Sequence, residues 1–247
     1  MRPRFWFALT TLLVLMLACG LPGAPAPTTV PLPATPMFLP TQAQLVPSAA
    51  PPAGFRDDFD GTLAAGWQWL GEDPTHWNLT STAGQLRIVI QPGNINDGQV
   101  RNFLVREAPQ GNFEISTSVR LSPSSQFQLA GLLVYQGQGN AMQFGPAYAP
   151  CTGGSAGQCV YFDSYQGGQF GGANFATYVG GGSPAYLRLR RAGTTYTASY
   201  SADGSSWKEI GSHQSNIAPR YVGLIGAQGS NGETPADFDF FTLEQVP

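Results

Sequence analysis

The chain has 247 residues, only 11% of them charged, and a formal net charge of −3. It contains 31 glycines and 21 prolines but a single lysine, Lys208. Nucleic acid is excluded as an expected partner, because the chain has no surplus of cations to neutralise phosphates. The high glycine content predicts β-structure with many turns rather than helices.

Charge divides the chain into two parts. No charged residue lies between Arg4 and Arg56, whereas fifteen carboxylates and ten cations lie from Arg56 onward. Arg2 and Arg4 precede an uncharged, mainly apolar run over residues 5–18, which is short for a membrane-spanning helix but typical of a signal peptide. We therefore predict a signal peptide over residues 1–18 and an exported protein.

The apolar run ends in a candidate lipidation site. Met16-Leu17-Ala18-Cys19 resembles the bacterial lipobox, in which a cysteine after a small residue is lipidated and becomes the mature N-terminus. The resemblance implies a lipoprotein anchored through Cys19 to the cell membrane or cell surface. An ordinary secretory signal with a chance cysteine is the alternative. Residues 19–53 are predicted to form an extended tether, because ten prolines in this segment favour polyproline II geometry.

The two remaining cysteines lie close together in the body of the chain. Cys151 and Cys159 enclose seven residues of a glycine-rich stretch. In an exported protein such a pair predicts a disulfide. Zinc is disfavoured, because the chain has no Cys-x-x-Cys spacing and both histidines, His76 and His213, are distant in sequence.

Residues 54–247 form a body long enough for one domain, and its apolar residues recur with period two. This alternation covers residues 86–90 and 113–121, as expected of half-buried antiparallel strands. Residues 127–136 are apolar on both faces and predict a central strand. Turn residues between residues 185 and 201 predict a hairpin. Together these patterns predict an all-β, two-sheet antiparallel jelly-roll sandwich.

The body also carries a series of short motifs in a fixed order. They are Asp57-Asp-Phe-Asp-Gly61, Trp77-Asn-Leu79, Gly84-Gln-Leu-Arg-Ile88, Gly111-Asn-Phe-Glu-Ile115, Ala130-Gly-Leu-Leu-Val-Tyr135 and Ala236-Asp-Phe-Asp-Phe-Phe241. This series resembles the concanavalin A-like domain at the C-terminus of bacterial β-xylosidases. The resemblance implies a jelly roll whose concave face meets carbohydrate in many relatives. Two segments depart from it, the cysteine-containing loop over 144–159 and the glycine-rich run over 167–182.

The sequence carries no convincing catalytic pattern. Jelly-roll glucanases carry paired carboxylates in a Glu-x-Asp-x-x-Glu pattern, which this chain lacks. Gly-x-Ser-x-Gly occurs once, at Gly153-Gly-Ser-Ala-Gly157, but in the glycine-rich stretch between the two cysteines and without the strand-to-helix context that a nucleophilic serine needs. The sequence therefore favours a non-catalytic body. An unrecognised hydrolase or lyase is the least favoured alternative.

Binding of a glycan is the function that the sequence favours. Sugar sites pair aromatic rings with planar polar side chains, because a sugar presents apolar CH faces surrounded by hydroxyls. The predicted site, in the middle of the concave sheet, comprises Tyr135, Gln143, Tyr161, Asp163 and Tyr165. These aromatic residues could instead belong to the core. The expected protein is a lectin-like surface module for a polysaccharide, with a protein-interaction or structural module of the cell envelope as the alternative.

A structural calcium ion is a further expectation. Acidic residues lie near both ends of the body, and terminal strands pair in this fold class, so Asp58 and Asp239 are predicted to share Ca²⁺. The alternative is that these charges discourage aggregation of edge strands.

Overall fold

The computed structural model describes residues 54–172, 174–181, 183–227 and 232–247. These ranges contain sixteen strands, and within them no helix is long and apolar enough to cross a membrane. The strands are β1 (Phe55–Asp57), β2 (Gln68–Leu70), β3 (Trp77–Asn78), β4 (Leu86–Ile90), β5 (Phe103–Glu107), β6 (Phe113–Leu121), β7 (Leu129–Gly137), β8 (Asn140–Ala147), β9 (Cys159–Gln166), β10 (Gln169–Phe170), β11 (Phe175–Tyr178), β12 (Ala185–Ala192), β13 (Thr195–Ser201), β14 (Lys208–Gln214), β15 (Tyr221–Ala227) and β16 (Thr234–Gln245).

The strands form two antiparallel sheets. The first sheet has the order β14-β13-β12-β6-β16-β4-β3, and β1 pairs with β16. The second sheet has the order β10-β9-β8-β7-β15-β5-β2, and β11 pairs with β9. The predicted all-β sandwich of two antiparallel sheets is confirmed.

The main core lies between the two sheets and follows from the period-two patterns. Leu86, Ile88 and Ile90 of β4 are fully buried in it, as the alternation predicted. From the second sheet, Leu132 and Val134 of β7 belong to the same cluster. Burying one such side chain stabilises the fold by about 1.5–3 kcal/mol, so this cluster is what holds the sheets together.

A second apolar cluster covers the outer face of the second sheet, the face turned away from the first sheet. Its strand members include Val105 and Leu133, which alternate with residues of the main core. Ile95 and Val100 belong to the same cluster although they lie in the loop between β4 and β5. This loop, residues 91–102, therefore covers part of the outer face.

The predicted hairpin is present, and the predicted central strand starts later than expected. The predicted hairpin forms from β12 and β13, with Ala192 opposite Thr195. The predicted central strand begins at Leu129 rather than at residue 127. Phe127 lies outside the strand because its backbone has a φ of 67°, which no extended strand contains.

The buried carboxylate of Asp57 organises the turn that follows β1. Its Oδ1 accepts a hydrogen bond from the amide of Phe59 at 2.9 Å. Its Oδ2 accepts from the amide of Ala64 at 2.9 Å and from Nε1 of Trp67 at 2.8 Å. Three donors thus converge on one buried side chain, which satisfies backbone groups that would otherwise lose their hydrogen bonds.

Asp57→Asn should lower the free energy of unfolding by about 1.5–3 kcal/mol, because an amide cannot accept all three hydrogen bonds. The matched control is Asp58→Asn, since Asp58 is exposed and forms an exposed ion pair with Arg56. Chemical denaturation of both variants measures the difference. Equal stability of the two variants would contradict this role for Asp57.

Candidate functional site

The five residues predicted to bind sugar all lie on the outer face of the second sheet. Tyr161, Asp163 and Tyr165 alternate along β9, so their side chains share one face. Gln143 of β8 is directly opposite Asp163. Tyr135 of β7 packs with the apolar cluster on the same face. The structure therefore brings the five positions to one face.

Only part of this face is open to solvent. An aromatic cleft of about 140 Å³ remains where the loop over 91–102 does not cover the sheet. We define this cleft by its described lining residues, which are Phe127, Leu129, Ala147, Ala149, Tyr161, Asp163, Tyr165, Phe170 and Asn174. Three of the five predicted residues thus line it.

Two phenylalanines that the sequence analysis did not select flank the cleft. Phe127 is 55% exposed and Phe170 is 61% exposed, which is unusual for side chains of this size. The ring of Phe170 lies 4.9 Å from the ring of Tyr165, centroid to centroid. Each phenylalanine is an isolated aromatic in a polar or glycine-rich segment, and this is the sequence signal that could have identified them.

The other two predicted residues contribute indirectly. Tyr135 packs edge-on against Phe103, with ring centroids 5.5 Å apart, and does not line the cleft. Gln143 is fully buried, and its Nε2 donates a hydrogen bond to Oδ2 of Asp163 at 3.0 Å. Gln143 therefore positions the carboxylate and is not itself exposed to a ligand.

Asp163 is the one acidic side chain of the cleft, and it is strongly desolvated. Only 7% of its surface is exposed. Burial raises its pKa from 3.8 to about 6, and the hydrogen bond from Gln143 offsets part of this rise. The side chain is consequently mostly ionised at neutral pH but becomes protonated under mildly acidic conditions.

The predicted disulfide between Cys151 and Cys159 is present, and it closes a loop beside the cleft. The hydroxyl of Tyr161 donates a hydrogen bond to the carbonyl oxygen of Pro150, the residue before Cys151. On the other side, the amide of Phe127 donates to the carbonyl oxygen of Tyr148 at 2.9 Å. These contacts tie the segment that leads into Cys151 to the lining of the cleft, and the disulfide holds the end of this segment on β9.

A larger depression of about 500 Å³ lies against the loop over 91–102. Its described lining consists of Gly71, Gln91, Pro92, Gly98, Gln99, Val100 and Arg101, with no aromatic ring among them. A sugar could not stack there on an aromatic platform. The aromatic cleft is therefore the better candidate site despite its smaller volume.

The acidic residues predicted to share calcium have separate partners. Asp58 accepts hydrogen bonds from Nε and Nη2 of Arg56. Asp239 accepts hydrogen bonds from Gln85 and from Oγ of Ser118, the latter at 2.7 Å. Calcium would have to displace these donors, and among the described residues no group of three or more His, Cys, Asp or Glu side chains could hold a metal. These contacts do not fit a shared ion, and the calcium site stays a prediction.

Three predictions concern residues outside the described ranges. The signal peptide over 1–18, with Cys19 and the tether over 19–53, lies there, so the structure does not test them.

The family match covers nearly the same residues as the folded body. The profile of the β-xylosidase C-terminal concanavalin A-like domain matches residues 56–244. The chain belongs to this family. No curated protein matched the sequence.

Solved structures show the same fold at low sequence identity. The GH43 BlXynB protein from Bacillus licheniformis superposes with a TM-score of 0.68 at 22% identity, over 77% of this chain and 39% of that chain. The xylan β-1,4-xylosidase from Bacillus halodurans C-125 gives a TM-score of 0.66 at 20% identity, with the same two coverages. A β-1,3-1,4-glucanase derived from a mouse hindgut metagenome gives 0.56 at 11% identity, over 78% of this chain and 100% of that chain. The chain thus spans about two fifths of the length of the two Bacillus structures.

The raised pKa of Asp163 gives a prediction for stability. The folded-state pKa lies above the unfolded value, so the folded state binds the proton more tightly, and stability falls as pH rises from about 4 to 6. Asp163→Asn, which stays neutral, should increase the free energy of unfolding at pH 8 by about 1–3 kcal/mol and change it little at pH 4.

Thermal unfolding at the two pH values measures this effect, with the exposed Asp60→Asn as the control. A variant that is destabilised to the same extent at pH 4 and pH 8 would show that desolvation of Asp163 is not the cause.

Proposed function

We propose that this protein is a cell-surface lipoprotein whose β-sandwich binds a polysaccharide in the aromatic cleft without catalysing a reaction. The observation that carries the proposal is the pair of exposed rings, Phe127 and Phe170, that line one cleft together with the buried carboxylate of Asp163. Aromatic rings stack on the CH faces of sugars, and a carboxylate accepts hydrogen bonds from their hydroxyls.

Two further findings support a polysaccharide as the ligand. Structures with this fold include enzymes named for xylan and for β-1,3-1,4-glucan. The cleft is also not fully enclosed, so a sugar chain bound there can continue beyond it. A non-catalytic role is supported by the sequence, which lacks the paired-carboxylate pattern of jelly-roll glucanases.

Phe127→Ala and Phe170→Ala should each weaken binding at least about tenfold, since each removes a stacking surface. Affinity electrophoresis against a panel of neutral polysaccharides, including xylan and β-1,3-1,4-glucan, measures retention. The matched control is Phe240→Ala, because Phe240 lies on the first sheet beneath Arg56, with the guanidinium 4.6 Å from the ring centroid.

Retention that survives both cleft substitutions would refute the proposed site. If the wild-type protein is retained by no polysaccharide, the glycan proposal fails and a protein-interaction module of the envelope becomes the better interpretation.

The anchor is tested separately, because Cys19 lies outside the described residues. Cys19→Ser should release the protein from the membrane fraction and abolish incorporation of radiolabelled palmitate in a bacterial host, since the cysteine is the proposed site of acylation. Cys151→Ser is the control for loss of a cysteine elsewhere. Unchanged membrane association of Cys19→Ser would contradict the lipoprotein proposal.

A further inference from the structure

The described lining of the aromatic cleft carries negative charge and no positive charge. Among the described residues that line it, Asp163 is the only charged one, and none is lysine or arginine. The carboxylate of Asp163 also takes part in none of the ion pairs found in the described ranges. A ligand that enters the cleft therefore meets a single negative charge without a compensating cation.

The other groups around Asp163 add no further charge to the cleft. From β8, Gln143 contributes a neutral amide. From β9, Tyr161 and Tyr165 flank Asp163, and burial together with the charge of Asp163 raises the pKa of Tyr161 above its usual value. Asn174, the residue before β11, and the rings of Phe127 and Phe170 are uncharged. Among the described residues that line the cleft, the carboxylate is therefore the only group that changes charge between pH 5 and pH 8. His213 lies behind β9, where it hydrogen-bonds to the carbonyl oxygen of Phe162, and burial lowers its pKa, which favours the neutral imidazole.

Asp163 retains hydrogen-bonding capacity for a ligand. An ionised carboxylate has about four lone-pair positions. Among the described side chains, only Gln143 donates to it, and only to Oδ2. Hydroxyl groups of a sugar can fill the remaining positions, and charge-assisted hydrogen bonds of this kind are stronger than neutral ones. A second carboxylate can only repel, because both partners would be acceptors with the same charge.

From these observations we propose that Asp163 determines the specificity of the cleft, by selecting uncharged polysaccharides and rejecting those that carry carboxylate groups. The proposal rests on the proposed function, since it concerns the ligand of the same cleft. It adds the class of glycan and the residue responsible for the selection.

The test compares two derivatives of whichever neutral polysaccharide retains the wild-type protein. One derivative is carboxymethylated and the other is hydroxyethylated to the same degree, so they differ in charge but carry substituents of similar size. With the full-length chain at pH 8, the carboxymethyl derivative should bind at least about tenfold more weakly than the hydroxyethyl derivative. In Asp163→Asn this ratio should fall to about twofold or less.

The control for overall charge is Glu209→Gln. Glu209 is exposed on β14 of the first sheet, so this substitution changes the net charge by the same amount but does not alter the cleft. It should leave the tenfold discrimination in place. Discrimination that falls equally in both variants would assign the effect to the net charge of the protein and overturn the proposal.

A second measurement uses the wild-type protein alone and does not depend on how a variant folds. At pH 5, Asp163 is largely protonated, whereas carboxymethyl groups, with pKa values near those of ordinary carboxyls at about 4, are largely ionised. The discrimination should therefore decrease between pH 8 and pH 5. A binding ratio that stays constant between pH 8 and pH 5 would overturn the proposal. An Asp163→Asn variant that discriminates as strongly as the wild-type protein would also overturn it.

These outcomes are distinct from failure of the proposed function. If no neutral polysaccharide binds at all, both proposals fall. If the neutral polysaccharide binds but the two derivatives bind equally well, only the specificity proposal falls.

Discussion

The second sheet is apolar on both faces, and the arrangement of the domain depends on how each face is buried. Leu132 and Val134 of β7 point to the space between the sheets, while Leu133 belongs to the cluster on the outer face. A sandwich of two sheets covers only the inner face, so the outer one needs another cover. The loop over 91–102 supplies part of it with Ile95 and Val100, and the aromatic cleft lies on the same sheet with no residue of this loop in its described lining.

Incomplete covering also explains the electrostatics of the cleft. Asp163 lies on the outer face beside apolar and aromatic side chains, so its carboxylate is removed from water without the benefit of a cationic partner. Such a position costs stability when the side chain is ionised. A folded protein retains costly groups most often at functional sites, which supports the assignment of the cleft as the binding site.

Particular residues illustrate how far the sequence could be used to find the site. Tyr161, Asp163 and Tyr165 lie on one face, as the sequence predicts, because side chains two residues apart point to the same side of a strand. Phe127 and Phe170 were missed, because their exposure depends on loop conformation: Phe127 has a positive φ, and Phe170 follows a two-glycine turn. Tyr135 and Gln143 were assigned to the correct face, but neither lines the cleft. Their exposure depends on the residues that cover them, and strand periodicity contains no information about those residues.

The sequence by itself determined the all-β class, the sandwich of two antiparallel sheets, the pairing of Cys151 with Cys159 and the family. Each of these follows from local alternation, from cysteine spacing or from motifs in a fixed order. The tertiary structure decided which part of the outer face stays open, which carboxylates are buried and which acidic residues already have partners. Asp57, for example, looks in the sequence like one of several similar acidic residues, yet it is buried with three hydrogen bonds while Asp58 is exposed. The physical reason is that burial and electrostatic environment arise from contacts between segments distant in the chain, which local sequence patterns do not specify.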